Sequence, residues 1–407
     1  MAIPAHTSKL HCPRDRAHIT PTLAMIPSPS RPTALVLSAL TLGGSLLVPQ
    51  ALRASTVTAE PIQSAPPAQW LPSEPDGRPT GQPSYQGQPS YQGQPSYQGQ
   101  SNYQGQQVIH VDSNAGSDSN PGTFGAPVRT IAQALSRARY GVTIKLAPGT
   151  YSPDRGESFP IIVPSGVKLS GSSGAMGSGI EIVGGGRYLS RSFAGQDVAV
   201  VLEDGAIAEG LTVSNPNVRG TGIWVETGSP MIANCTLSGS HRDGLFVTGN
   251  ATPVVESNIF QRNGGNGLSI ARTARPIVRS NHFEATGFGI TVGDNAQPLL
   301  QNNRIVGNTD GVIVTRSAQP IFRSNEITQN QRDGVVAIGQ AAPDLGTYSN
   351  PGNNRIMGNG RYAIYNATQG NTIPAVGNQI DGGSSGAVTL ASADPIAPVR
   401  LAMGLAR

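Results

Sequence analysis

Between Pro230 and Pro343 the chain repeats itself every 22 or 23 residues. Pro230, Pro253, Pro276, Pro298, Pro320 and Pro343 mark the period, and its wording is clearest in Pro298-Leu-Leu-Gln-Asn-Asn-Arg-Ile-Val-Gly-Asn-Thr-Asp-Gly-Val-Ile-Val. A unit this short cannot enclose a core of its own, so such units must stack and share one. No helical period runs through the unit. Short alternating apolar runs stand between Gly, Asn, Ser and Asp. Each repeat therefore reads as two short strands and two turns, coiled so that like residues lie over like at about 4.8 Å.

Stacking turns repeat positions into columns. Leu237, Phe260, Phe283, Ile305, Ile327 and Ile356 form one expected inward column, and Ile223, Leu245, Leu268, Ile290, Val312, Val335 and Ile364 a second. Just before the second stands a ladder of Gly222, Gly244, Gly267, Gly289, Gly311 and Gly334, ending in Ala363. Asn258, Asn281, Asn303, Asn325 and Asn354 share one corner, with Cys235 in the first regular coil. Asn263, Asn308, Asn330 and Asn359 share another, with Ser240 and Thr286 as substitutes. Asn is expected here as a left-handed corner residue whose amides bond between coils. Parallel strands joined this way coil right-handed. The expected fold is thus all-β: a single-stranded, right-handed parallel β-helix of 22–23-residue coils with an N-terminal capping helix.

That helix is predicted from Ile131 to about Arg139. Thr130 and Gln133 have capping-box spacing, the apolar residues Ile131, Ala134, Leu135 and Ala138 share one face, and Gly141 is expected to end it. Its apolar face would cover the open end of the first coil. Strands are predicted before and after it, at Val108–Val111, Val142–Leu146, Pro160–Val163, Gly166–Leu169, Ile180–Val183, Val198–Leu202 and Leu211–Val213.

Charge matters through its placement. The formal net charge is +4, but Lys9, Arg14, Arg16, Arg31 and Arg53 against Asp15 hold all of it, leaving 23 basic and 23 acidic side chains after residue 59. A basic field for nucleic acid is excluded. Thr33–Val48 is an apolar run behind Arg31, followed by small-residue sites ending at Ala54 and Ala59. This is a secretory-signal pattern over residues 1–59, with Met25 as an alternative start, and the run is shorter than the ~20 residues of a spanning helix. The mature chain is expected to be exported (periplasmic, cell-surface or extracellular), monomeric and without a transmembrane span. Residues 60–107, with Gly-Gln-Pro-Ser-Tyr-Gln repeated from Gly81, Gly87 and Gly93, read as a disordered spacer. The β-helix is expected over 108–385 and a tail over 386–407. Cys12 precedes the signal, so Cys235 is left alone and reads as a small buried thiol.

Several stretches are more specific than the repeat: Asp118-Ser-Asn-Pro-Gly-Thr123 leading into Pro127-Val-Arg-Thr-Ile131, then Leu146-Ala-Pro-Gly-Thr-Tyr151, and at the other end Pro343-Asp-Leu-Gly346, Gly352-Asn-Asn354 and Tyr362-Ala-Ile-Tyr-Asn366. On these residues the chain, from about Val108 to Asp381, resembles parallel β-helix proteins of the pectin-lyase-like superfamily, and most closely the bacterial domain-of-unknown-function 1565 family. The resemblance implies fold and export. No activity is established for that family, so it implies no mechanism.

Enzymes of the superfamily act on acidic polysaccharides with clustered carboxylates, or with calcium and a basic residue. The position before the ladder glycine reads Asp243, Asn266, Phe288, Asp310, Asp333 and Tyr362. Asp310 and Asp333 fall on adjacent coils, where two carboxylates could share a proton or hold a cation. Asp before Gly is equally ordinary turn chemistry. His241 beside Asp243 is a further candidate acid–base pair. An outward stripe of Trp224, Phe246, Ser269, Thr291, Ile313, Val336 and Tyr365 could stack on sugars, or could be covered by a loop or the tail. No metal-binding cluster, nucleophile elbow or phosphate loop is present. Two readings follow. The first is non-catalytic binding or scaffolding of polysaccharide or another envelope component through Trp224 and Phe246, with no cofactor. The alternative is a polysaccharide lyase, hydrolase or epimerase using Asp310, Asp333, Asp243 or His241, with calcium only if it is a lyase.

Overall fold

The computed structural model describes residues 107–392. The expected signal, nearly all of the spacer and most of the tail lie outside these residues. Among them, most strands pair not with their sequence neighbours but with the equivalent strand one coil away. Three parallel sheets result. The first runs from Val108–Val111 to Ile321–Arg323, the second from Gly149–Tyr151 to Gln379–Ile380, and the third from Ile161–Val163 to Ser384–Ser385. The chain visits them in turn, which makes a parallel coil.

Each regular coil holds three strands, not the two expected. After Pro253 come Val254–Glu256, Ile259–Gln261 and Asn266–Ile270. The first apolar run is broken at the first asparagine corner. The left-handed residue at that corner is also not the asparagine. It is the residue before it: Asn234, Ser257, Ser280, Asn302, Ser324 and Asn353 all have φ between 53° and 56°. That turn swings the asparagine inward. Asn258, Asn281, Asn303, Asn325 and Asn354 are buried, and each amide oxygen serves the coil before it. The Asn281 oxygen, for example, accepts from the Asn258 backbone N–H (2.9 Å) and its Nδ2 (3.0 Å), while Asn281 Nδ2 donates to the Val255 carbonyl (2.9 Å). Buried corner groups are thereby satisfied at every level. The ladder continues one coil beyond the expected one, to Asn378.

The inward columns are as expected. Phe260, Phe283, Ile305 and Ile327 are in register and fully buried, and the two phenylalanine rings stack at 4.4 Å. The glycine ladder has a steric cause. A Cβ on Gly289 would stand 2.6 Å from the Gly311 carbonyl oxygen, and one on Gly267 2.7 Å from that of Gly289. The marking prolines sit at strand entrances, where their missing N–H costs nothing, and their carbonyls accept from the next coil, as Pro253 does from Ile277 (3.0 Å).

The capping helix spans Ile131–Arg137, with Ile131 and Ala134 buried against the first coil. It ends earlier than expected, because Ala138 is already extended. Gly141 (φ 84°) instead shapes the turn into Thr143–Leu146. Only half of the capping box forms. Thr130 Oγ1 accepts from the Gln133 N–H, while Asp118 takes the N–H groups of Arg129 and Thr130 (both 2.9 Å). Glu157 accepts from the N–H groups of Ile131 (2.6 Å) and Ala132 (3.0 Å). Asp118 and Glu157 together fasten the cap to the coil.

Several strands were absent from the expected ones. Gly186–Ser190 forms an antiparallel hairpin with Ala194–Leu202, a strand that begins four residues earlier than predicted. At the other end Val388–Ala391 pairs with Ile373–Val376, so regular structure continues past residue 385.

Candidate functional site

The third sheet carries the candidate residues on its outer side. Asp243, Asn266, Phe288 and Asp310 lie in register on consecutive coils. Three coil steps, roughly 14 Å, therefore separate Asp243 from Asp310, too far for a carboxylate pair working on one glycosidic bond.

Asp310 and Asp333 are on adjacent coils as expected, but they do not face each other as a free pair. Each is clamped by the arginine of the following coil. Arg332 grips Asp310 through Nε (3.2 Å) and Nη2, and the Asp333 N–H donates to the same carboxylate (3.0 Å). Arg361 grips Asp333 through Nε (2.9 Å) and Nη2, helped by the Tyr362 N–H (3.2 Å). The carboxylates are buried (2% and 1% exposed) while the arginines are half in solvent (53% and 52%). The acceptance of these bonds by Asp310 and Asp333 raises Arg332 and Arg361 further above the usual guanidinium value. A carboxylate held this way spends its lone pairs on arginine and backbone donors, so the two aspartates neither bond to each other nor build an open cation site.

Asp243 and His241 are not brought together as an acid–base pair. His241 Nδ1 accepts from the Arg219 N–H (3.2 Å). Asp243 binds Arg242 Nε (2.8 Å), Asn266 Nδ2 (2.8 Å) and Ser269 Oγ (3.2 Å). Burial pushes its carboxyl above the ordinary range, against the pull of Arg242 and the hydrogen bonds.

The aromatic stripe divides in two. Trp224 was expected as an outward ligand contact, but it is fully buried. The hairpin folds over it: Tyr188 and Phe193 pack on its ring, and Phe246 stacks on it at 4.5 Å. The hairpin tip is latched by Glu226, which accepts from Ser190 Oγ (2.9 Å) and from the N–H and Oγ of Ser192 (both 2.6 Å). Arg272 holds it from the next coils, donating to the Ser192 carbonyl (2.7 Å) with its guanidinium over Phe193. Phe246 stays half-buried at the rim, in contact with Phe193. At the far end the half-buried Tyr365 closes the stripe beside the column before the ladder glycine. There Tyr362 and Tyr365 stack at 5.7 Å, Arg361 lies over Tyr365 (5.0 Å), and Arg332 lies over Phe288 (6.0 Å). These guanidiniums each join a carboxylate inside to an aromatic ring outside. The signal for them was in the sequence: Arg332 stands one position before Asp333, and so next to Asp310 one coil up.

Cys235 is buried, and burial pushes its thiol up to about 12. Among the described residues no group of three or more His, Cys, Asp or Glu could hold a metal ion, and no helix is long and apolar enough to cross a membrane.

Among solved structures, pectate lyase Pel9A matches at 16% identity over 70% of this chain and 78% of its own, with a TM-score of 0.43. XylC, solved with xylose, matches at 12% over 70% and 69% with a TM-score of 0.48. A lacto-N-biosidase from Eubacterium ramulus matches at 13% over 70% and 68% with a TM-score of 0.41. No curated protein matches the sequence. The family described as protein of unknown function (DUF1565) matches over residues 114–384, and the chain belongs to it.

Proposed function

We propose that this is an exported, non-catalytic protein that binds cell-surface or extracellular polysaccharide along the outer side of its third sheet. The observation that carries the reading is the fate of the carboxylates: Asp310 and Asp333 are each consumed by an arginine whose other face lies against aromatic rings. Half-exposed guanidiniums beside Tyr362, Tyr365 and Phe288 supply hydrogen-bond donors and flat apolar faces, the two things a sugar ring recognises. Export rests on the signal pattern over residues 1–59. The long spacer would hold the β-helix away from its point of attachment.

The test uses the full chain against a panel of acidic and neutral polysaccharides, with binding read by affinity electrophoresis and cleavage by reducing ends and unsaturated products. Binding without product, weakened several-fold in Tyr365→Ala, is expected. Turnover that is lost in Asp310→Asn or Asp333→Asn would overturn the reading in favour of a lyase, hydrolase or epimerase.

A further inference from the structure

At the N-terminal end of the same sheet, the base of the hairpin and the loop before Gly220 enclose a cavity of about 330 Å³ lined by Arg187, Gly195, Gln196, Asp197, Val218 and Arg219. Arg187 lies directly across from Asp197 in the hairpin register, and Asp197 pairs with Gly220, the residue after Arg219. Two arginines from different elements therefore line the cavity together with one carboxylate. Neither has an ion-pair partner among the described residues, and both are exposed. This is unlike the other arginines of the sheet, since Arg242, Arg332 and Arg361 are all committed to aspartates. Asp197 is held in place by Asn215 Nδ2 (2.8 Å) and Asn217 Nδ2 (3.3 Å). Gln196 accepts from Arg242 and donates to the Phe193 carbonyl.

We propose that this cavity binds one anionic sugar unit, carboxylated or sulfated, at the end of the glycan. The proposal rests on the polysaccharide-binding reading. Two uncommitted guanidiniums against one carboxylate leave net positive charge for an oxyanion, and guanidinium geometry suits it. Asp197 keeps acceptor capacity for sugar hydroxyls. A bare inorganic anion would meet the Asp197 charge with nothing to offer it. A ring that carries hydroxyls beside its charge satisfies both. From Arg219 to Arg361 is six coil steps, roughly 29 Å, along the sheet's outer side, so the subsite and the Tyr365 end would hold separate units of one extended chain.

The experiment is calorimetric titration of the full chain at low salt with a galacturonate tetramer, a neutral galactose tetramer and sodium sulfate. The variants are Arg187→Gln, Arg219→Asn (Asn tolerates the left-handed backbone, φ 63°) and Tyr365→Ala. The expected result is that the galacturonate tetramer binds, that each arginine variant weakens it about tenfold, and that salt weakens it further. The neutral tetramer should be indifferent to both arginine variants, and thermal melting of the variants unchanged. Galacturonate binding reduced by Tyr365→Ala but not by either arginine variant would overturn the subsite and leave the parent reading intact. Sulfate binding as tightly as the tetramer would overturn the sugar assignment. Absence of any glycan binding by the unaltered chain would overturn both readings.

Discussion

At Ile305 the neighbours that matter are Phe283 and Ile327, one coil to either side and far away in sequence. The side chain has no exposure. Ile305→Ala should cost about 2–5 kcal/mol through lost burial and the cavity left behind, read as a shift in the denaturation midpoint. A cost under about 1 kcal/mol would mean that the site collapses around the change. Cys235 gives a second test at the same scale. With its thiol pushed up to about 12 by burial, it should stay unreactive to Ellman's reagent at pH 8 until the protein unfolds. The unfolded thiol ionises near ~8.5, so this group's contribution to stability falls as the pH rises past that value towards the native one. Rapid labelling of Cys235 in the native protein would contradict the burial. Residues in columns such as these were legible because the period itself states their neighbours. The corner asparagines were legible in position but not in conformation, because nothing in the sequence assigns the left-handed φ to Ser257 rather than Asn258.

The hairpin Gly186–Ser190 with Ala194–Leu202 is the element that most changed the reading of the surface. It lies outside the repeat, and in sequence it resembles another Gly- and Ser-rich loop. Its consequence falls on Trp224, more than twenty residues away, which no local pattern can reveal. The same limit applied to the candidate site. The column before the ladder glycine was readable, but whether Asp310 and Asp333 would meet each other or an arginine depended on side-chain direction. The latch makes the hairpin testable. Burial raises the Glu226 carboxyl, but the bonds from Ser192, Ser190 and the backbone outweigh it and leave it below the ordinary range. A depressed carboxyl contributes stability that is fully present above its unfolded value, near ~4.3 for Glu, and lost as the pH falls through the native one. In a Trp70→Phe background, where Trp224 alone reports, fluorescence should therefore become more open to acrylamide quenching in acid. Glu226→Gln should show increased quenching at neutral pH with a flattened pH profile. Quenching independent of pH in that background with Glu226 intact would mean that the latch does not hold the hairpin.

For the molecule as a whole, a helix fastened by Asp118 and Glu157 closes one end of a coil that grows by one equivalent step at a time. The signal pattern over residues 1–59 predicts that N-terminal sequencing of the mature protein begins just after Ala54 or Ala59; a mature chain starting at Met1 or Met25 would contradict it. The asparagine ladder adds a direction to this architecture. Each buried amide oxygen belongs to the later coil and serves the N–H groups of the earlier one, from Cys235 through Asn258 to Asn378. A coil just completed is left with donors that only the next can satisfy, and an unmet buried donor costs ~1–3 kcal/mol. A chain delivered from its N-terminus is thus always one coil short of self-sufficiency. Removal of Asn378 would leave the Asn354 N–H groups as the open end of the ladder.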